Sequence, residues 1–326
     1  MIKKKIQFVV KPLLNDNYLE DLYQNKSKNF LNIFFCYLKR FFILFSLTKY
    51  NKILIEKELL PYIPFVEYIF FKIFKSKIFL DYDDFIFNNY SFRLSILNRL
   101  YKNKFQFILE NCNGVITGNN FLKSYVLDYN KNTTVIPTLI KIDNYVSNEI
   151  KKNKKISIVW IGTPTTIKYL ENLMPVLLKL KQNINFNLII IGGKLKNFFS
   201  FVEYHDWSEK NEFKILKSCH IGIMPLDNST WSKGKCGLKI LQYMASSLPV
   251  VVSDVGANKD IVSHDFDGYL AKNPEEWIEY LTKLITNDFL RVKFGNNGFT
   301  KVINKYSYQK IFYKYLNFLK INENYK

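Results

Sequence analysis

Apolar positions along this chain fall into two kinds of run. Short, nearly unbroken stretches occur at residues 6–10 (IQFVV), 52–55 (KILI), 77–80 (KIFL), 114–117 (GVIT) and 134–137 (TVIP). They recur at 156–162 (ISIVWIG), 187–193 (NLIIIGG), 220–226 (HIGIMPL), 249–254 (PVVVSD) and 267–271 (DGYLA). Between them, apolar residues take helical spacing at 30–47, 62–75 and 91–111, then near 166–182, 208–218, 237–247, 257–262, 274–286 and 288–304. A last helical stretch, 307–320, is aromatic. Runs that are apolar throughout predict strands covered on both faces, and their alternation with helices predicts parallel sheets. The expected fold is α/β: two Rossmann-like domains joined by a linker. The polar, aperiodic segment 141–155 is the linker, which divides the chain into 1–143, 144–306 and a C-terminal helix and tail, 307–326. Ligands of such sheets bind outside the carboxyl ends of the strands, so the loops after Gly162, Gly193, Pro225 and Asp254 are expected to converge on one site.

Composition narrows the partners without choosing one. Apolar residues make up 48% and charged residues 23%, the balance of a globular chain. The net charge of +19 favours anionic partners, but an AT-rich genome imposes the same abundance of Lys, Asn, Ile, Phe and Tyr. Cys36, Cys112, Cys219 and Cys236 are scattered, and the three histidines lack ligand spacing, so neither a disulfide framework nor a metal site is expected. The opening Met1-Ile2-Lys3-Lys4-Lys5 leads into too short an apolar run for a signal peptide. Residues 30–47 (FLNIFFCYLKRFFILFSL) are long enough for a membrane span, but Lys39 and Arg40 near mid-bilayer would each cost about 2.5–3.5 kcal/mol. The segment is then either an interfacial helix on an anionic membrane or a helix buried in the first half with its cations reaching outward.

Candidate chemistry concentrates at residues 233–254, KGKCGLKILQYMASSLPVVVSD. A helix starting near Gly237 puts Lys235, Lys239, Gln242 and Ser246 on one face, with Ile240, Leu241, Met244 and Ala245 opposite. A helix N-terminus beside lysines suits a phosphate or diphosphate, and Gln242 can bond a ribose hydroxyl. The plain alternative is a solvated polar stripe. In WIGTPTTIKYL (160–170), Thr163, Thr165 and Thr166 either cap the next helix or help hold a phosphate. Two such termini at one sheet edge point to a diphosphate clamp. Asp81, Asp83 and Asp84 cluster at a predicted strand end, and Glu58 follows another; these carboxylates either orient an acceptor and take its proton or pair with neighbouring lysines.

The block GIMPLDNSTWSKGKCGLKILQYMASSLPVVVSDVGANKDIV (222–262) resembles the donor-binding region of retaining GT-B glycosyltransferases of family 4. WIGTPTTIKYLENL (160–173) and HDWSEKNEFKILKSCHIGIMPL (205–226) look like a subgroup linked to bacterial surface polysaccharides. EKELLPY (56–62), DYDDFIF (81–87), GVITGNNFLKSYV (114–126) and VIPTLIKIDNY (135–145) match in order. The resemblance implies transfer of a sugar from a nucleotide diphosphate sugar to a glycan or polyprenyl-linked acceptor, with retained configuration and no metal. Lys239, with Lys235, would stabilise the leaving diphosphate. Gly162, Thr163, Pro225, Gly237 and Gln242 would line the donor site, and Gly256, Ala257 and Asn258 the sugar. Glu58, Asp83 and Asp84 are acceptor-side candidates. The expected location is cytoplasmic, peripheral on the inner face of the membrane.

Two departures from that pattern stand out. Where the family often carries paired glutamates with seven residues between them, this chain has Gly234 and Gln242. Residues 6–23 look like the second strand of the acceptor domain, so the first strand-helix unit is expected to be missing. A catalytically inactive homologue that binds a nucleotide sugar or a partner is therefore the alternative. Basic aromatic surfaces also suit nucleic acid, but no nucleic-acid-binding module is recognisable, and none is expected as partner.

Overall fold

The computed structural model describes residues 7–23, 27, 29–63, 65–90, 95–146 and 152–321. The first half contains α1 (Asp16–Tyr23), α2 (Phe30–Phe45), β1 (Ile53–Glu56), α3 (Tyr68–Phe74), β2 (Ile78–Tyr82), α4 (Ser95–Glu110), β3 (Gly114–Thr117), α5 (Asn120–Val126) and β4 (Thr133–Val135). Its four strands are parallel and lie in chain order, with Ile53 opposite Ile78, Phe79 opposite Gly114 and Val115 opposite Thr133. After α6 (Asp143–Val146), the second half runs β5 (Ser157–Ile161), α7 (Ile167–Asn183), β6 (Asn187–Ile191), β7 (Val202–His205), α8 (Glu209–Ser218), β8 (Ile221–Met224), α9 (Thr230–Lys233) and α10 (Leu238–Ala245). It continues with β9 (Val250–Ser253), α11 (Asn258–Ile261), β10 (Gly268–Ala271), α12 (Pro274–Thr286) and α13 (Asp288–Lys301). A π-helical turn, Val302–Tyr306, leads to α14 (Tyr308–Phe318).

The second sheet is wholly parallel, in the order β7-β6-β5-β8-β9-β10. Its winding therefore reverses between β5 and β8, and a crevice opens at their carboxyl ends. Strand residues alternate between two buried layers. Ile158 and Trp160 pack with Leu170, Leu177, Trp277 and Leu281, while Val159 and Ile161 pack with Ile240, Leu241 and Met244. Helices α12 and α13 begin where their sequences say they should. Asn273 and Asn287 accept hydrogen bonds from the backbones of Glu276 and Leu290, and Pro274 fills the first turn of α12.

In the first half, one sheet face packs Ile78, Leu80 and Val115 against Leu44, Phe71, Phe105 and Leu109. The other face is covered by the end of the chain. Ile311 joins Ile116 and Ile136, and Phe318 meets the Phe79 ring edge-on at 5.7 Å. The segment 307–326, expected as a separate helix and tail, thus places α14 on the first sheet; residues 322–326 lie outside the described ones. Tyr308 N–H donates to Ile140 O, so the returning chain is fastened beside the outgoing one.

Three other expectations change. Residues 7–10 form no strand, and Phe8, Val9 and Val10 are exposed, because no neighbouring strand pairs with them; residue 6 lies outside the described residues. The helix expected from residue 62 starts at Tyr68, since Tyr62 and Phe65 take positive φ. β7 was not foreseen: it is an edge strand, partly exposed and too short to establish a period. Residues 91–94 of the expected third helix and 147–151 of the linker lie outside the described residues.

Candidate functional site

At the switch point, the end of β5 is shaped by one indole. Trp160 is buried, and a Cβ on Gly162 would stand 2.2 Å from its ring; one on Gly193 would stand 3.0 Å away. Gly192, at φ +78°, lies against the Gly162 carbonyl, where a Cβ would come within 2.5 Å. The glycines therefore let the loops after β5 and β6 close over Trp160. Thr163 N–H donates to Thr166 Oγ1 at 3.0 Å, and the Thr163 and Thr165 hydroxyls stand 2.9 Å apart. Thr166 makes no side-chain cap on α7, so this terminus keeps open donors beside an exposed Thr163.

The loop from β8 to α10 supplies the opposite wall. Pro225 is buried at the end of β8, and Leu226 N–H donates to Ser253 Oγ of β9. Burial would raise the Asp227 carboxyl, but hydrogen bonds from Ser229 and Ser232 outweigh it and hold Asp227 below the usual range. Gly237 then turns the chain at φ +73° into α10, again with no side-chain cap.

Lys239 extends from the first turn of α10 to sit with Nζ 4.7 Å above the Trp160 ring. Among the described residues no carboxylate pairs with it. Burial, aided by the charge of Lys235, lowers its amine from 10.5 to about 7. Such an amine gains most from an anion. Lys235 lies over Trp231 instead, at 5.2 Å, so the two lysines share a neighbourhood but not a ring.

Gln242 donates through Nε2 to Glu212 Oε1, and Trp207 Nε1 donates to Glu212 Oε2 at 2.5 Å. Burial raises the Glu212 carboxyl against these donors and the Tyr145 hydroxyl. A carboxylate facing Gln242 Nε2 leaves the amide oxygen as its remaining acceptor. Ser246 is buried, with its hydroxyl returned to Gln242 O, and does not extend the polar stripe.

The remaining candidates are placed as follows. Gly256, at φ +54°, lies against the Lys233 backbone, where a Cβ would come within 2.7 Å. Ala257 and Asn258 are buried, and Asn258 Nδ2 donates to Ser253 O, so its side chain holds the end of β9 rather than facing the crevice. Glu58 has its side chain largely buried in the first half, where it pairs with Lys104 at 3.1 Å and accepts from Tyr90, so this pairing accounts for it as it stands. Asp83 and Asp84 both pair with Lys57, at 3.2 and 3.3 Å. Their neighbour Asp81 is raised to about 7 by burial despite accepting from Tyr315 of α14. Lysine pairing thus accounts for Asp83 and Asp84 as they stand.

First-half loops touch this region directly. Asn119 Nδ2 donates to Lys235 O at 3.0 Å and Lys233 O at 3.2 Å, and Cys236 Sγ lies 2.9 Å from Asp83 O. Both halves therefore meet at the loop that carries the lysines.

Comparison with known proteins bears on the same region. Residues 155–287 match the family of glycosyl transferases group 1. This group 1 match covers β5 through α12, including Trp160, Glu212, Lys239 and Gln242. Over 276 residues the chain is 27% identical to an uncharacterized glycosyltransferase of Methanocaldococcus jannaschii, covering 74% of this chain and 76% of that one. Anabaena HepE in complex with UDP and glucose superimposes with TM-score 0.68 at 13% identity, over 86% of this chain and 80% of that one. A Staphylococcus aureus TarM variant in complex with fondaparinux, alpha-GlcNAc-glycerol and UDP gives TM-score 0.57 at 20% identity, over 74% of this chain. The chain spans about half the length of TarM, 50%. These likenesses establish the GT-B fold: two parallel α/β halves with the crevice between them.

Trp160 and Glu212 were not singled out from the sequence. A tryptophan at the penultimate position of a buried strand, just before a glycine, was the available signal for the first. Nothing local marks Glu212, whose partner Gln242 is 30 residues away.

Proposed function

We propose that the chain is a glycosyltransferase that takes a sugar from a nucleotide diphosphate sugar and passes it, with retained configuration, to a glycan or lipid-linked glycan acceptor. One observation carries the reading: a partly buried lysine over Trp160, without a carboxylate partner among the described residues, on the sheet edge from which two helices with no side-chain cap begin. The group 1 match over 155–287 supports it.

In this reading the diphosphate lies between the N-termini of α7 and α10, near Gly162 and Thr163. Its charge draws a proton onto Lys239. As the bond between the anomeric carbon and the diphosphate oxygen breaks, the electron pair leaves with the diphosphate, and Lys239 meets the growing charge. An acceptor hydroxyl oxygen forms the new bond to the anomeric carbon, and its proton passes to an oxygen of the departing diphosphate. The Gln242 amide oxygen accepts from a ribose hydroxyl. The chain's own cations and helix termini, rather than a metal, carry the phosphate charge, so activity should survive chelation. The acceptor approaches from the first half, where Asp81, Asp83 and Asp84 are the nearest carboxylates to the shared loop. Retention, a role in bacterial surface polysaccharide synthesis and a cytoplasmic location follow the family resemblance.

The test is a thermal-shift titration with UDP, GDP, ADP and CMP, using Lys239→Ala as control. A shift with one nucleotide that disappears in the variant supports the donor site, and NMR of the product anomer then checks retention. A folded chain that responds to no nucleotide overturns the reading; nucleotide binding with no transfer to any acceptor identifies an inactive homologue.

A further inference from the structure

The least expected surface of the molecule is the outside of α2. Its exposed arc is apolar from end to end: Phe30, Leu31, Phe34, Phe35, Phe42 and Phe45 face solvent, joined by Leu38 and Phe41. At 100° per residue these positions fill a sector of about 140°. Lys39 lies at the rim of that sector, and Arg40 turns away to donate to Lys11 O. The arc continues onto α3 through Ile69 and Ile73, each about two-thirds exposed (65% and 66%). Between the two helices runs a groove of about 590 Å³ lined by ten side chains, of which Thr48 is the only polar one.

Within the two segments that build this face the exposed charges are one-signed. Residues 30–55 contain no carboxylate, and the only one in residues 65–80 is Glu67, buried in its pair with Lys104. Lys39, Lys49, Lys72 and Lys75 are exposed around the apolar surface. A second copy of the same face would bring cations against cations, which disfavours self-association. An anionic leaflet offers the complement of both features, hydrocarbon for the phenylalanines and phosphate for the lysines.

We propose that the outer face of α2 and α3 docks on an anionic lipid bilayer, with α2 lying in the interface and the groove receiving hydrocarbon chains. Neither helix crosses: among the described residues no helix is long and apolar enough to span a membrane. The proposal stands apart from the transfer reading, since binding to a bilayer needs no turnover.

The test is co-sedimentation of the full chain with phosphatidylglycerol–phosphatidylcholine vesicles and with phosphatidylcholine alone. The expected result is binding to the anionic vesicles, weakened by salt. The triple variant Phe34→Ser, Phe42→Ser, Ile69→Ser should lower partitioning by at least roughly a hundredfold while leaving the melting temperature in place, because all three side chains are exposed. Phe198→Ser with Phe289→Ser, more exposed still and on the second half, should leave vesicle binding unchanged. Absence of wild-type binding, or binding that survives the triple variant, overturns the proposal. So does a wild-type dimer that the triple variant converts to monomer, which would assign the face to a second copy.

Discussion

Replacing Lys239 by methionine should stabilise the unliganded chain and at the same time weaken its hold on a nucleotide. The amine is lowered from 10.5 to about 7, chiefly by burial. Between those values the unfolded chain binds a proton that the folded chain does not, so folding at neutral pH expels it. Taken whole, the drop corresponds to about 5 kcal/mol as an upper bound. Partial access to water and about 1 kcal/mol from the Trp160 face reduce this to about 1–2 kcal/mol. Methionine keeps most of the aliphatic stem and removes the charge, so its gain should approach that figure, a rise of roughly 2–6 °C in melting temperature. The sign can be checked with pH. The lysine penalty is complete below about 7 and fades as pH climbs towards 10.5, so the gap between variant and wild type should close over that window. Binding should move the other way. Loss of a charge-assisted contact to a diphosphate costs about 1.5–3 kcal/mol, a Kd higher by roughly 10- to 100-fold. Wild-type binding should also take up a proton, visible as a buffer-dependent heat in calorimetry, and the variant should lose that signature. A Lys239→Met chain that melts lower than wild type, or binds nucleotide equally well, would refute the argument that this amine is held in readiness for an anion.

The Glu212 contact predicts a different pH response. Gln242→Glu sets a second carboxylate against Glu212, so one of the two must be raised well above its ordinary value; the variant should lose about 1–3 kcal/mol at pH 8 and recover towards wild type near pH 5, read by melting at both values. Adding Glu212→Gln to that variant reverses the polarity of the hydrogen bond and should restore both stability and nucleotide affinity. In the first half, Lys104 is fully buried between Glu58 and Glu67, with Leu60 O at 2.7 Å. Lys104→Met strands two carboxylates and should cost about 3–5 kcal/mol by denaturant unfolding, with nucleotide binding to the second half retained in the folded fraction.

The second sheet was readable because its strands are buried on both faces. Val159, Ile189, Ile223 and Val251 need no alternation to declare themselves, and turn or capping residues bound each run. The run at residues 6–10 is different, because its described part, 7–10, forms no strand and is exposed: burial belongs to neighbours, and the run itself cannot reveal whether it has any. β7 escaped because an edge strand with Glu203 and His205 alternating along it needs only one partner. At the candidate site, the face carrying Lys239 and Gln242 followed from helical spacing alone. Its supports did not. Trp160 is set beneath Lys239 by sheet topology, and Glu212 reaches Gln242 from another helix. Glu58 went the other way, since its attraction to Lys104, 46 residues distant, leaves no mark in the local pattern.

The return of α14 to the first sheet ties the order of folding to the order of synthesis. Ile116 and Ile136 of the first half are covered by Ile311, and Phe79 by Phe318. The second half is made entirely between those two events. On a ribosome adding about 5–20 residues per second, the first sheet must wait roughly 10–35 s for its final layer. Throughout that interval one face of a parallel sheet, a structure that tolerates water on neither side, remains uncovered. The second half can close its own core first, so the N-terminal domain is completed only after it, and a nascent chain of this protein needs its apolar first half sheltered until α14 has emerged.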